Sequence, residues 1–403
     1  MRRKTEAVRS ALRTASPFLG EGLKISLAAA LAAVALAAGA SAAFAQSAPS
    51  PSPSPAPSAS PSPTATPRDW VTSGSIDTSY SSFSSPNVGY RVFDTQSKQP
   101  MLNAITLQLQ KNGTIGGKLG ITAGSNADII ASYPDQNNDG FDVTNAYLSF
   151  TGGPLTLIGG KFSTLAGAEV IEGPGNADIS RSFLFGLAVP FTHTGLRLSY
   201  APTPVLTLIA GVNNGWDNLK GSSTGSKTIE LGAAYNGPVV ALAAQGYSGT
   251  ERITYAPYSA ASGRRTLLDV VGTWHASPAL TLVGNFDGGK QANAPVLDAA
   301  GTTIAAAGTP TWNGVAGYAT YQFTPKFSAT VRGETFSDVG GYRTGFDQRL
   351  REGTLTLGYA PSAPLVVRLE VRADQSNRAV FTDSAGAAKN TQSSVGAQVL
   401  VKF

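Results

Sequence analysis

The sequence contains no cysteine, and after residue 45 it contains no long apolar run. The absence of cysteine excludes a disulfide framework, a thiolate metal site and lipidation of an N-terminal cysteine. A membrane-spanning helix needs about 18 consecutive apolar residues, and no later segment approaches this length. If the chain beyond residue 45 is integral to a membrane, it must form a closed β-barrel, because only helices and closed barrels satisfy their backbone polar groups in lipid.

Histidine is almost as scarce, with two residues among 403. A hydrolase needs an imidazole within hydrogen-bond distance of a hydroxyl, and the sequence offers His193 with a serine such as Ser199. No nucleophile elbow or paired-carboxylate signature accompanies this pair, and His275 beside Trp274 lies at a predicted turn. The sequence predicts no enzyme activity, no cofactor and no metal, with a hydrolase as the alternative.

Most of the chain also lacks an excess of one charge. The net charge is +5, but the first 45 residues hold six basic and two acidic residues, which leaves 24 basic and 23 acidic residues beyond them. This balance removes the support for nucleic-acid binding. The basic start, the apolar segment 25–38 and Ala43-Phe44-Ala45 instead follow the order of a secretory signal peptide, which predicts export of the chain. A retained anchor helix is the alternative.

The chain therefore divides into a signal peptide (1–45), a Pro/Ser-rich linker (46–69) and a third region (70–403). Residues 47–67 contain only Ser, Pro, Ala and Thr, which cannot bury enough apolar area to fold. We expect a disordered, polyproline-like periplasmic segment, either a plain leader or a tether that reaches partners in the envelope.

The region from Trp70 onward contains sixteen segments in which apolar and polar residues alternate. The segments are 72–83, 102–111, 114–124, 143–151, 155–163, 193–201, 205–213, 228–236, 239–249, 264–276, 279–290, 312–324, 326–337, 351–360, 365–375 and 391–403. Short turns rich in Gly, Pro and Asn alternate with connections of about a dozen residues or more. This pattern predicts an all-β, 16-stranded transmembrane antiparallel barrel with both termini on the periplasmic, short-turn side, and a soluble sandwich is the alternative.

Aromatic residues mark the ends of the even-numbered segments from the fourth to the sixteenth, on the side of the short turns. Each shares a face with apolar or small residues two and four positions earlier. The seven residues are Phe150, Tyr200, Tyr235, Trp274, Phe323, Tyr359 and Phe403. We expect them to contact lipid at one membrane interface. The alternation that ends at Phe403 is also similar to the C-terminal signal that the barrel-assembly machinery recognises.

Charged residues occupy the face opposite the apolar one, which predicts a charged lumen. The predicted pore-wall residues are Lys118, Arg197, Asp269, Arg332, Glu334, Arg368, Glu370 and Arg372. The third long connection, about 28 residues from Thr164 to Thr192, adds Glu169, Glu172, Asp178 and Arg181. If it folds inward, it narrows the pore, and its carboxylates would face the basic wall residues across a transverse field. Solvated charges on an outer loop are the alternative.

Five runs in this region carry a family resemblance. They are GKFST (160–164), EVI (169–171), SRSFLF (180–185), PFTHTGLRLSY (190–200) and NGWD (214–217). The chain resembles the OmpL-like family of outer-membrane β-barrel porins, most strongly over residues 143–217. This resemblance implies a barrel fold and a porin activity.

A short acidic run, Asp135 to Gly140, matches the first half of a calcium-loop pattern, but Ala146 stands where the bidentate glutamate belongs. We therefore expect a polar loop there. The sequence as a whole predicts a bacterial outer-membrane pore for small hydrophilic solutes, embedded in lipid, with a homotrimer as a candidate assembly. The envelope tether and the hydrolase are the alternatives.

Overall fold

The computed structural model describes residues 69–86, 88–132, 138–221, 225–253 and 262–403. Within them, sixteen antiparallel strands each pair with their neighbour in the chain, and the last pairs with the first to close a barrel. The predicted fold and strand number are confirmed. The predicted signal peptide, almost all of the predicted linker and half of the acidic run lie outside the described residues. Among the described residues, no helix is long and apolar enough to cross a membrane.

The strands are numbered in chain order. The barrel consists of β1 (Trp70–Phe83), β2 (Gln99–Lys111), β3 (Ile115–Ala123), β4 (Phe141–Gly152), β5 (Leu155–Ser163), β6 (Thr192–Thr203), β7 (Leu206–Asn213), β8 (Thr228–Asn236), β9 (Val240–Arg252), β10 (Ser262–Ser277), β11 (Leu280–Gln291), β14 (Thr311–Thr324), β15 (Phe327–Val339), β16 (Gln348–Ser362), β17 (Leu365–Ser376) and β20 (Thr391–Lys402).

Two hairpins inside the long connections were not predicted. They are β12 (Ala294–Leu297) with β13 (Thr303–Gly308), and β18 (Phe381–Thr382) with β19 (Ala388–Lys389). A short helix, α1 (Ser125–Ile130), was not predicted either. Segments this short carry too few residues for a recognisable period. The connections 253–261 and 340–347 are shorter than expected, because β9, β10, β15 and β16 continue beyond their apolar alternation.

The alternation within strands orients the two faces as the sequence predicts. On β10, Leu268 and Val270 are exposed on the outside, whereas Asp269 between them is buried inside. On β15, Val331 is exposed while Arg332 is buried. The seven turn-side aromatics are all exposed. The barrel therefore has an apolar outer face, as lipid requires, and a largely polar inner face.

The seam between β1 and β20 is built from backbone and side-chain bonds. The amide of Gly74 donates to the Phe403 carbonyl at 2.8 Å, and the reverse bond is 3.0 Å long. A Cβ at position 74 would lie 2.6 Å from the Phe403 ring, so the close approach requires glycine. Inside the barrel, Asp77 accepts from Asn103 Nδ2 of β2 at 2.8 Å and from Gln398 Nε2 of β20 at 2.9 Å.

The inner face also contains apolar residues, which the sequence analysis did not predict. Leu267, Trp312, Phe336 and Leu350 face inward and are almost completely buried. They pack against residues of the third long connection, including Phe183, Leu184, Ala188 and Val189. These inward positions are apolar because they contact a protein loop instead of water. The third connection, residues 164–191, is called loop 3 below.

Candidate functional site

Loop 3 lies inside the barrel and is held there first by backbone bonds to two wall carboxylates. Glu334 of β15 accepts from the amide of Phe183 at 2.5 Å and from that of Leu184 at 3.2 Å. Glu370 of β17 accepts from the amide of Ile179 at 2.6 Å and from that of Ser180 at 3.1 Å. Carboxylates are strong acceptors for such paired amides, so each one fixes the path of the loop at one point.

Arg332 of β15 is the centre of an ion-pair network between wall and loop. Its Nη1 contacts Glu169 Oε1 at 2.9 Å and Asp178 Oδ2 at 3.4 Å, both on loop 3. Its Nε contacts Glu352 Oε1 of β16 at 2.7 Å, and Nη1 also donates to the Ser180 carbonyl at 2.7 Å. Burial raises the pKa of Asp178 to about 6, although the charge of Arg332 opposes the rise.

Two further arginines of β17 bind loop carbonyls. Arg372 donates through Nη1 to the Arg181 carbonyl at 2.6 Å and through Nε to Asp374 Oδ1 at 2.6 Å. Arg368 donates to the carbonyls of Gly173, at 3.3 Å, and Asn176. The wall thus holds the loop through its backbone as well as its charges.

Arg181 closes loop 3 on itself instead of reaching the wall. It donates to the carbonyls of Val170 and Ile171, each at 3.1 Å. Its guanidinium carbon lies 5.4 Å from the Phe93 ring centre and 5.7 Å from that of Phe185, a cation–π geometry. Loop 3 is therefore a compact unit with its own internal bonds.

From the sequence we expected the loop carboxylates to face basic wall residues across a transverse field, and the structure places most of these charges in buried contacts. Ten of the twelve charged residues predicted for the constriction and the wall are buried. The ten are Glu169, Asp178, Arg181, Arg197, Asp269, Arg332, Glu334, Arg368, Glu370 and Arg372. The loop carboxylates Glu169 and Asp178 meet Arg332 at contact distance, so these charges are not spread across open water.

The two remaining residues keep partial exposure and lie near one another. Glu172 of loop 3 accepts from Gln108 Nε2 of β2 at 3.1 Å. Gln108 pairs with Gly120 of β3, two positions from Lys118 on the same inner face. Lys118 pairs directly with Tyr147 of β4. Within the part of the chain that the structure describes, Lys118 makes no ion pair.

Glu230 of β8 neutralises the predicted wall residue Arg197. Arg197 Nη2 lies 2.9 Å from Glu230 Oε1, and the Arg197 guanidinium stacks over the Phe162 ring at 4.2 Å. Glu230 and the equally buried Glu352, Asp374 and Asp77 were missed by the sequence analysis. A systematic count of inward positions would have found them, since Glu230 lies between the outward residues Ile229 and Leu231.

Asp269 has a second carboxylate directly opposite, Asp287 of β11. Asp269 Oδ2 accepts from Asn285 Nδ2 at 2.9 Å, and Asn285 Oδ1 accepts from the loop 3 amide of Ala168 at 3.2 Å. Both oxygens of Asp287 are buried without a hydrogen-bond partner among the described residues. Asp287 was also missed by the sequence analysis.

The structure does not bring the candidate hydrolase pair together. His193 and Ser199 lie six positions apart on β6, which separates them by about 20 Å along a strand. His193 stacks on Tyr247, with ring centres 4.9 Å apart, and its Nδ1 lies 3.4 Å from the Gly215 carbonyl. His275 Nδ1 lies 3.2 Å from the Thr281 hydroxyl near a short turn. Among the described residues there is no group of three potential metal ligands.

A closed 16-stranded barrel with an apolar outer face and a charged lumen defines the porin class of outer-membrane proteins. The sequence agrees with this assignment: residues 71–403 match the family model described as "Putative beta-barrel porin-2, OmpL-like". The chain belongs to this family, as its sequence resemblance implied. A sequence comparison with curated proteins found no match.

Solved outer-membrane proteins share the fold. The outer-membrane channel DcaP of Acinetobacter baumannii has a TM-score of 0.58 and 12% identity, with 83% of this chain and 97% of that chain covered. The anion-selective porin from Comamonas acidovorans has a TM-score of 0.58 and 10% identity, with 83% and 99% covered. OmpT of Vibrio cholerae in its trimer form has a TM-score of 0.53 and 11% identity, with 83% and 99% covered. At these identities the likeness extends to the fold alone.

Proposed function

We propose that this porin conducts small hydrophilic solutes along a water path between loop 3 and the wall formed by β2, β3 and β4. The observation that carries the proposal is the distribution of exposure. Of the charged residues predicted for the lumen, Lys118 and Glu172 alone stay partly exposed, and both lie at this wall. Loop 3 narrows the lumen, and these two charges set its ion preference.

The proposal is tested by reversal potentials of single channels in a salt gradient. Glu172→Gln should lower the cation-to-anion permeability ratio by about two- to fivefold, because one nearby charge contributes on the order of 1 kcal/mol to an ion in a watery constriction. Lys118→Gln should shift the ratio in the opposite direction.

Glu169→Gln is the matched control in the same loop. Its carboxylate pairs with Arg332 and is buried, so the change should affect stability and leave the reversal potential unaltered. Conductance without any shift in the Glu172 and Lys118 variants would place the water path elsewhere. A wild-type protein that shows no conductance steps would remove the pore function itself.

We propose further that the chain assembles as a homotrimer with periplasmic termini. OmpT of Vibrio cholerae has been solved in a trimer form. The outward face of β1 carries small or polar residues at Thr72, Gly74, Thr78 and Ser82, which suit a protein contact better than lipid, and Ile76 and Tyr80 between them add apolar area to the same face. Thr78→Trp should dissociate the oligomer on a native gel, whereas Ala233→Trp on the outward face of β8 should not. Intact oligomers in the Thr78 variant would exclude this face.

A further inference from the structure

An aromatic cluster lies at the long-loop end of the lumen. Trp216 comes from the connection between β7 and β8, Trp312 from the start of β14, and Tyr342 from the connection between β15 and β16. The rings of Trp216 and Trp312 meet edge to face with centres 6.0 Å apart, and Trp312 stacks on Tyr342 at 6.2 Å. Trp312 Nε1 donates to the loop 3 carbonyl of Ala188 at 3.1 Å, which fixes the cluster beside loop 3.

Two arginines contact this cluster. The guanidinium carbon of Arg265 lies 4.8 Å from the Trp216 ring centre, and that of Arg343 lies 5.6 Å from it. Arg343 also lies 5.4 Å from the Trp312 ring centre. Aromatic faces attract cations, so the rings hold both guanidinium groups at the mouth without neutralising them.

Neutral partners orient both arginines. Arg265 donates through Nε to Gln291 Oε1 and through Nη2 to the Tyr342 hydroxyl, each at 2.8 Å. Arg343 donates through Nε to the loop 3 carbonyl of Leu187. Neither arginine forms an ion pair with any residue that the structure describes, in contrast to Arg332 and Arg372 deeper in the lumen.

Several nitrogens of these arginines remain available. Among the described residues, Arg265 Nη1 and both Nη atoms of Arg343 have no hydrogen-bond partner. Arg343 is partly exposed, whereas Arg265 is buried beside it. Burial lowers the pKa of Arg343 to about 10, and the like charge of Arg265 adds to this effect. The charges of Asp338 and Asp217 oppose this lowering, but neither carboxylate forms an ion pair with the two arginines among the described residues.

The nearby carboxylates accept hydrogen bonds from backbone amides. Asp217 Oδ1 accepts from Phe191 and Thr192, each at 2.9 Å, and Asp338 Oδ2 accepts from the amide of Arg343 at 2.9 Å. Glu251 accepts from the amide of Trp216 at 3.2 Å. These acids hold the surrounding connections in place, and none of them pairs with the two guanidinium groups.

We propose that Arg265 and Arg343, held by Trp216, form a binding site for the oxyanion group of a small solute, either a carboxylate or a phosphate. The planar guanidinium fork matches the two oxygens of such a group, and Trp216 preorganises both forks on one ring. This inference rests on the proposed pore for its biological meaning, since it names the class of solute that would bind at the long-loop end of the lumen. Binding itself is measurable without transport.

The test is isothermal titration of the purified full-length protein in detergent with benzoate, benzamide and inorganic phosphate. Benzoate and benzamide have nearly the same shape and differ in charge, so benzoate should bind at least about tenfold more tightly. Arg343→Gln and Arg265→Gln should each weaken benzoate binding by about tenfold or more, while Arg343→Lys should retain part of it. Arg264→Gln is the matched control, because this neighbouring arginine is exposed on the outer face.

Heat-dependent mobility on a denaturing gel verifies that each variant is a folded barrel. Equal binding of benzoate and benzamide would overturn the site, as would unchanged benzoate affinity in the folded Arg343→Gln and Arg265→Gln variants. If phosphate binds and neither aromatic ligand does, the same two variants decide the outcome: loss of phosphate binding would support the site and restrict it to phosphate, whereas unchanged phosphate binding would overturn it. Failure of the pore proposal shows separately, as an absence of conductance steps in potassium chloride, and leaves the titration result intact.

Discussion

At the scale of single residues, Asp287 combines complete burial with a lack of partners. Neither of its oxygens has a hydrogen-bond partner among the described residues, and Asp269 stands directly opposite on the neighbouring strand. Two carboxylates in this position repel each other, and a buried polar group without a hydrogen bond costs free energy. We therefore expect this pair to lower the stability of the fold, unlike the carboxylates around it that have cationic partners.

Replacing Asp287 by asparagine should raise the free energy of unfolding by about 1 to 3 kcal/mol at neutral pH, because the repulsion disappears. Asp374→Asn is the matched control: Asp374 contacts Arg372 at 2.6 Å and Arg91 at 3.0 Å. The same substitution there should lower stability by about 3 to 5 kcal/mol. Urea unfolding in detergent measures both, and a less stable Asp287→Asn protein would contradict the argument.

Asp217 should make the stability of the folded protein depend on pH. Burial raises its pKa from 3.8 to about 6, although bonds from the amides of Thr192 and Phe191 oppose the rise. The folded state therefore holds a proton that the unfolded chain releases between these values, and stability falls as pH rises from about 4 to about 6.

Asp217→Asn should remove this part of the pH dependence, because both amides donate to one oxygen that asparagine also has. The measurement is the difference in melting temperature between wild type and variant at pH 4.5 and pH 7.5. The variant should gain relative stability at the higher pH, and an equal difference at both would show that Asp217 does not titrate in this range.

At the scale of elements, loop 3 depends on wall carboxylates for its position. Glu370→Ala removes the acceptor for the amides of Ile179 and Ser180, at a cost of roughly 1.5 to 3 kcal/mol per bond. The loop should then open, which would make the single-channel current noisier and expose the bond after Arg181 to trypsin. Glu172→Ala removes one side-chain bond and serves as the control, so equal cleavage of both variants would contradict the anchoring role.

The strands were predictable from the sequence, whereas the packing of loop 3 was not. A period of two is a local signal, and it accounts for the burial of Asp269 and Arg332 beside the exposed Leu268 and Val331. The contacts of loop 3 join residues far apart, such as Glu334 with Phe183, and no local pattern records them. Apolar residues at inward positions, namely Leu267, Trp312, Phe336 and Leu350, were the signal that something other than water fills this part of the lumen.

At the scale of the whole molecule, the barrel closes without the Pro/Ser segment, since β1 pairs with β2 and β20 from residue 70 onward. Deletion of residues 47–67 should therefore leave single-channel conductance and heat-dependent gel mobility unchanged. If the segment is an envelope tether, the same deletion in cells should weaken envelope integrity. A loss of conductance in the purified deletion variant would show that the segment belongs to the pore.

The seam between β1 and β20 constrains the order of events during assembly. Its partners lie more than 300 positions apart, as Asp77 and Gln398 do, so the seam is the costliest contact to form by chance. Before it forms, the sheet has two open edges, and Asp77 has only the donor from β2. Lipid offers no hydrogen-bond partners to the backbone groups at those edges, so a partly formed sheet is unstable within the bilayer unless its edges are covered. Insertion and closure must therefore be one coupled event, or another protein must cover the edges in between.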